Sequence, residues 1–460
     1  MLILTPKPFL LIVCFVTGSL WVHSQQPLQT PGPGDIFQLS IKKYSARTAI
    51  PLRLNSKPSA QSHKDLRQSN SNFTILNTSN LPPNCIDSSF RKTFEADNRA
   101  YSFLCATRTH DGSFLMGGYG RNKLEGPPYK FYAVLSKFDS LGNHIWSKEL
   151  RSDVYYSLYI ESMKELSDGS IIVTGWHDNA IYAATQDSSD FFVSKLTATG
   201  NELWFKTYHS LLNNQCTTNN IRFASIAEGD NGDLLLAGTI VNCPSPWYLV
   251  AMKLNSSGQL QWKNYYGTHT SFGSAAGIYY NNNQVTVIQK AQDPTQVRFI
   301  NLDYTTGSVV SVKAWQPEIN SFYSDMQAFV SSTRLNNGHY CVYGLAMGDY
   351  NYQPADVPHF IVLEFDENYQ YLHGFAIMST LLTNTSESKI VIDEYGHLLY
   401  TLTVLNPDAS NKIKYLGSAS IDGIIFNQRQ RSYSNLEFFY DQLTPFADGS
   451  YAYINNLAPP

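Results

Sequence analysis

Ser194-Lys-Leu-Thr-Ala-Thr-Gly-Asn-Glu-Leu-Trp-Phe-Lys-Thr-Tyr208 decides how this chain folds. An apolar run ends in Ser-Lys-Leu, a turn with Gly200-Asn201 follows, and a second run carries Trp204. Gly and Asn accept the positive φ that a tight hairpin demands, so two antiparallel strands meet at this turn. Upstream, Asp168-Gly169 separates two more alternating runs, residues 159–165 and 171–175. Four antiparallel strands in succession make one sheet. The same sheet is written at least twice more. Asp139-Ser-Leu-Gly-Asn-His-Ile-Trp146 and Asn255-Ser-Ser-Gly-Gln-Leu-Gln-Trp262 repeat the second turn, and Asp111-Gly112 and Asn231-Gly232 repeat the first. A four-stranded unit recurring every 50–60 residues or so is the signature of a β-propeller blade.

Working outward, the frame decays but persists. First turns fall near Asn282-Asn283 and at Asn337-Gly338, Tyr395-Gly396 and Asp448-Gly449, while the later units lose the Trp. After the last turn only residues 450–455 remain as a strand. The missing strands are found at the other end. Residues 72–76 alternate, and Ser89-Phe-Arg-Lys-Thr-Phe94 matches Leu203-Trp-Phe-Lys-Thr-Tyr208 in character. The expectation is an all-β chain of about seven four-stranded antiparallel blades over residues 72–460. Pairing N-terminal strands with the C-terminal half-blade would close the ring and remove open edges. A helical solenoid needs a sustained 3.6-residue period, which is absent, and two separate β-sandwiches fit the single repeat less well.

Composition agrees with a sheet protein. Aromatic residues make up 13% of the 460, which suits flat, half-buried strand surfaces. Net charge is −4 with no long basic run, so nucleic acid is not an expected partner. Residues 1–24 read as a secretory signal: Lys7, a short apolar stretch from 9 to 22, and a cut near Gln25. That stretch is short for a bilayer span, so no stable membrane insertion is expected after cleavage. Residues 25–71, rich in Pro, Gln, Ser and Asn, read as a flexible arm or linker with room for a small strand. The expected location is extracellular or at the cell surface, with the periplasm open, and the expected state is a monomer.

Strand alternation puts both regular turns on one face of the propeller. The loops between second and third strands (119–130, 176–190, 239–247 and 345–358) lie on the other, with the connections 209–220 and 266–277 between blades. Variable loops on a rigid scaffold are where binding lives. Candidate binding residues on that face are Trp176, His177, Asp178, Trp247, Asp349, Tyr350 and Tyr352. Trp146, Trp204 and Trp262 recur at one position of the repeat and are expected to pack between blades. Cys216 precedes one strand and Cys243 follows its neighbour, so a disulfide between them is expected at the loop face. Cys85 with Cys105 is a less well placed pair, and Cys341 reads as a packed core thiol. No histidine pair has metal spacing. No G-x-S-x-G, H-E-x-x-H or phosphate-cradling loop is present. The chain is therefore expected not to be an enzyme, and no metal or cofactor is expected.

On Asp168-Gly169, Gly175, Lys195-Leu196, Gly200-Asn201, Leu203-Trp204 and Lys206-Thr207-Tyr208, the chain resembles secreted propeller repeat proteins of Bacteroidota. The likeness covers residues 95–270 well and the rest loosely. It implies an exported surface protein, in a group whose members are mostly uncharacterised and are often followed by further modules. A weaker likeness is to the quinone-cofactor (PQQ-like) propeller repeat, carried by Leu302-Asp-Tyr-Thr-Thr-Gly307 and Leu196-Thr-Ala-Thr-Gly200. That family implies eight blades and a disulfide between adjacent cysteines, and this chain has no Cys-Cys pair. The expectation is a secreted or cell-surface binding module holding a protein or glycan on its variable-loop face. The alternatives are a propeller enzyme (hydrolase, lyase or quinoprotein-like) with its site at the channel mouth, and a structural spacer without a ligand.

Overall fold

The computed structural model describes residues 40–45, 48–53, 99–122, 130–140, 142–150, 157–178, 191–208, 220–241, 248–266, 273–292, 295–316, 328–346, 359–378, 383–405, 411–421, 425–434, 439–445 and 451–457. All of them lie in one compact unit, Phe37–Pro460.

The chain is a β-propeller of four-stranded antiparallel blades. The first blade is β3 (Arg99–Arg108), β4 (Phe114–Asn122), β5 (Phe131–Phe138) and β6 (His144–Leu150), hydrogen-bonded in that order. Two strands precede it, β1 (Ser40–Ser45) and β2 (Thr48–Arg53). The second blade is β7 (Ser157–Glu165), β8 (Ile171–Asp178), β9 (Phe191–Leu196) and β10 (Glu202–Tyr208). The third is β11 (Asn220–Glu228), β12 (Leu234–Val241), β13 (Tyr248–Leu254) and β14 (Leu260–Tyr266). The fourth is β15 (Gly273–Asn281), β16 (Gln284–Gln292), β17 (Thr295–Asp303) and β18 (Val309–Trp315). The fifth is β19 (Ala328–Arg334), β20 (Tyr340–Ala346), β21 (His359–Phe365) and β22 (Tyr371–Met378). The sixth is β23 (Thr383–Ile392), β24 (His397–Leu405), β25 (Asn411–Ser420) and β26 (Ile425–Ser434). A separate two-stranded sheet, β27 (Phe439–Pro445) with β28 (Tyr451–Leu457), ends the described chain.

Among the described residues the expected count of about seven is therefore corrected to six complete blades. Asp448-Gly449 stands in sequence as a seventh first turn, but among the described residues only two strands accompany it. Residues 72–76 and 89–94, expected to complete that blade and close the ring, lie outside the described residues. The first strand of each blade touches the first strand of the next, from β3 through β23, and β27 touches both β23 and β3. First strands thus line the axis and fourth strands the rim.

The blades are stapled by their repeat residues. A Cβ on Gly200 would lie 2.9 Å from the Trp146 ring, and one on Gly258 2.9 Å from the Trp204 ring. One on Gly307 would lie 2.7 Å from the Trp262 ring. Each Trp on a rim strand thus lies flat on the second turn of the following blade, as its recurrence led one to expect. Hydrogen bonds seat it: Trp204 Nε1 donates to Ser256 O at 3.2 Å and Trp262 Nε1 to Tyr304 O at 3.0 Å. The repeated lysine has its own task. Nζ of Lys137 and Lys195 reach Asp111 and Asp168 at 2.8 and 3.1 Å, and Lys253 reaches Asp233 at 2.9 Å. An almost buried ammonium thereby clamps the first turn of its own blade. Between blades the core is aliphatic and aromatic, as in the cluster of Leu166, Phe191, Val193, Leu236 and Met252.

The arm is not bare. β1 pairs antiparallel with β22, Ser40 opposite Met378 and Ser45 opposite His373, and β2 pairs with β1. The fifth blade is so extended to six strands, with its rim edge covered.

Candidate functional site

Four aromatic side chains gather at the loop-face ends of the first two blades. Tyr119 is near the end of β4 and Phe131 opens β5. Tyr159 is near the start of β7, and Trp176 near the end of β8 is its direct cross-strand partner. The Trp176 and Tyr159 rings stack 4.0 Å apart at 12°. Tyr119 meets Tyr159 edge-on at 5.0 Å, Phe131 lies 5.6 Å from Tyr159, and Tyr119 and Phe131 meet at 5.4 Å. All four keep part of their surface in solvent. Both blades thus contribute rings to one patch.

The strands explain this placement. In each blade the second strand runs toward the loop face and the third returns from it, so residues at the close of one and the opening of the other share that face. Aromatic pairs in tilted and stacked geometry hold one another beyond simple burial, by about 0.5–1.5 kcal/mol each. A partly exposed, rigid platform of this kind offers π-faces to the C–H groups of a sugar ring or to another ring.

Of the residues singled out in sequence, Trp176 is therefore in a cluster on the expected face. His177, its neighbour, is fully buried at 0% exposure opposite Leu158 and so lies behind the surface and not on it. Asp178 closes β8, paired with Ser157. Trp247, Asp349, Tyr350 and Tyr352 lie outside the described residues. Tyr119, Phe131 and Tyr159 are members of the patch that the sequence reading did not single out. Tyr119 opens the range 119–130 that the sequence assigns to this face, but nothing in sequence shows which strand-end rings come together.

The thiols fall out differently. Cys216, Cys243 and Cys85 lie outside the described residues. Among those described there is no disulfide: Cys105 and Cys341 are both free. The pairing of Cys85 with Cys105 is thus corrected, since the Cys105 thiol instead donates to Gly117 O at 3.6 Å. Cys341 is wholly buried in the fifth and sixth blades' core, and burial pushes both thiols well above their ordinary range. Among the described residues no three His, Cys, Asp or Glu side chains converge as metal ligands. No described helix is long and apolar enough to cross a membrane.

No protein-family model matches the chain, and no curated protein matches it in sequence. The two family likenesses read from its repeats thus gain no support from a match. Solved structures do resemble it. Prolyl oligopeptidase B from Galerina marginata is 10% identical with a TM-score of 0.41, over 78% of this chain and 47% of that one. This chain thus spans about half the length of that enzyme. The Synechocystis apocarotenoid oxygenase is 10% identical with a TM-score of 0.38, over 77% of this chain and 84% of that one. A GH93 alpha-L-arabinofuranosidase of Fusarium graminearum is 10% identical with a TM-score of 0.36, over 59% and 91%. These structures, with a GH43 beta-1,3-galactosidase, are hydrolases and an oxygenase. The expectation that the chain is not an enzyme is corrected by that finding and is withdrawn. Likenesses this distant carry no argument for any one activity.

Proposed function

We propose that this chain is an exported propeller that holds a glycan on its variable-loop face, against Trp176, Tyr159, Tyr119 and Phe131. The observation that supports the reading is the partly exposed aromatic patch on the face where the sequence varies most. Stacking of sugar C–H groups on such rings needs no charge, and the patch is built of rings. The proposal concerns binding and is indifferent to turnover of the bound glycan.

A glycan array followed by titration of the best glycan, read by Trp fluorescence, tests it. Trp176→Ala is expected to weaken binding about tenfold or more, and Trp176→Phe to retain part of it. Equal affinity in wild type and both variants overturns the assignment. Selective capture of a protein instead, with no glycan bound, transfers the site to the protein ligand of the sequence reading.

We also read the mature chain as a monomer beginning near Gln25, outside the cell or at its surface. N-terminal sequencing of the exported product is the check, and a chain retaining residues 1–24 overturns it. Residues 72–76 and 89–94 are read as rim strands completing the β27–β28 sheet into a closed ring. Slow hydrogen exchange at those amides is expected, and unprotected amides would count against closure.

A further inference from the structure

The fourth blade breaks a rule that four of the others keep. In the first, second, third and fifth blades, the second strand carries glycine where the first strand bulges: Gly118, Gly175, Gly238 and Gly344. The cause is steric. A Cβ on Gly118 would lie 1.9 Å from Ser102 O, and one on Gly175 1.7 Å from Tyr159 O. Across the sheet these glycines face Val134, Phe192, Val250 and Ile361. The corresponding pair in the sixth blade is Leu402 with Tyr415. In the fourth blade alone, the bulge position holds Gln289 and its cross-strand partner is Arg298.

Alternation fixes where these two side chains point. Val285, Val287, Ile300 and Leu302 belong to the core between the third and fourth blades. Gln289 and Arg298 continue the same rows, so they enter the same cleft. Gln289 is 1% exposed, and its Nε2 has no hydrogen-bond partner among the described residues. Arg298 is half-buried and spends its Nε on Gln296 Oε1 at 3.0 Å, and no carboxylate pairs with it among the described residues. The next residues along the row are Ala275 and Ala314, which take up little room. Both polar side chains line a cleft of about 310 Å³ that is open to solvent, with Tyr265, Ile300, Val309 and Val312.

A buried amide donor without an acceptor is costly, and native structures keep few of them. Here the donor stands beside a guanidinium on a directly opposed residue, with Cβ atoms about 5 Å apart. Two adjacent donors, one of them cationic, match the two oxygens of a carboxylate. A phosphate dianion would leave charge uncompensated against a neutral amide, and the aliphatic and aromatic walls favour an apolar body. The volume corresponds to about ten waters, enough for a molecule of metabolite size. We propose that the cleft between the third and fourth blades binds a small organic carboxylate. Gln289 Nε2 and Arg298 take the acid group, and the apolar part lies against Ile300, Tyr265 and the half-exposed Val309 and Val312. This site is separate from the aromatic patch of the first two blades, and either proposal stands without the other.

The test titrates the full mature chain with benzoate, 3-phenylpropionate and hexanoate at pH 7, by calorimetry and saturation-transfer NMR. Benzamide and inorganic phosphate are the controls. At least one acid is expected to bind saturably while both controls do not. Gln289→Gly and Arg298→Val install what the other blades carry, so the fold is kept, which an unchanged unfolding midpoint verifies. Each is expected to weaken the acid about tenfold or more, and Arg298→Lys to retain part of the affinity. The proposal is overturned if none of the three acids binds at millimolar concentration, if benzamide binds as well as benzoate, or if Gln289→Gly leaves affinity unchanged.

Discussion

At the scale of single residues, the propeller rests on pairs that span two repeats. Gly258 has φ +75° and no room for a Cβ beneath the Trp204 ring. Gly258→Ala should cost about 2 kcal/mol or more in urea unfolding, from the left-handed backbone and from the ring above it. Combined with Trp204→Ala the loss should be less than the sum of the two single losses, because the steric part vanishes with the ring. The Asp–Lys clamps predict a pH dependence. The Ser170 hydroxyl holds the Asp168 carboxylate below its ordinary range; desolvation works against it, and the Ser170 amide and Lys195 add to the lowering. Burial works upward on Asp111, but hydrogen bonds from Lys137, Thr109 and Ser113 outweigh it and the net shift is also down. A folded pKa below the unfolded one, about 4, means that the unfolded chain binds more protons in that window. The contribution is complete above about pH 5 and is lost as pH falls through the folded values. Asp168→Asn should lower the urea midpoint at pH 7 and flatten its fall between about pH 5 and 3. These residues were legible in sequence because they recur. Tyr119, Phe131 and Tyr159 were not, since the face of a strand end is legible while the packing of rings from two blades against each other is not.

At the scale of elements, the junction of the fourth and fifth blades solves the same packing problem from the opposite side. Counting from the second turn, Ser311 stands where Trp146, Trp204 and Trp262 stand in their blades. In the fifth blade's turn, the glycine position is Tyr369 with φ +65°. Its ring stacks 4.7 Å from Phe299, and its hydroxyl donates to Asn301 Oδ1 at 2.8 Å. Asn301 in turn donates to Ser311 Oγ at 3.0 Å. The turn thus supplies the aromatic that the rim strand lacks, and Lys313 still reaches the turn carbonyl of Asn368 at 3.0 Å. Ser311→Trp and Tyr369→Gly should each destabilise, by about 1–3 kcal/mol, while the double substitution recovers much of the loss in a chemical-denaturation cycle. The clamp of this blade is also inverted in sign. Glu364 replaces the lysine and is met by His339 at 2.7 Å and His373 at 2.6 Å. Such substitutions are why the later repeats looked decayed in sequence: the interaction survives while the residue types carrying it change places.

At the scale of the whole molecule, the blade was legible and the count was not. A turn such as Asp448-Gly449 announces a hairpin wherever it occurs, and a hairpin is half a blade. Pairing between β1 and β22 left no trace in sequence, because partners more than 300 residues apart share no local pattern. Removing residues 25–53 should leave β22 as an open edge, and such edges invite self-association. Concentration-dependent oligomers in analytical ultracentrifugation, absent from the chain that keeps these residues, are the expected outcome. The same pairing has a consequence in time. β1 is made well before β22, its one strand partner besides β2 among the described residues, which is completed at Met378. At typical rates of synthesis β1 waits roughly 15–70 s for that partner to exist. Whatever shields its backbone in that interval is a participant in the biogenesis of this protein, and a slowed ribosome would lengthen the exposure without altering a single contact of the finished molecule.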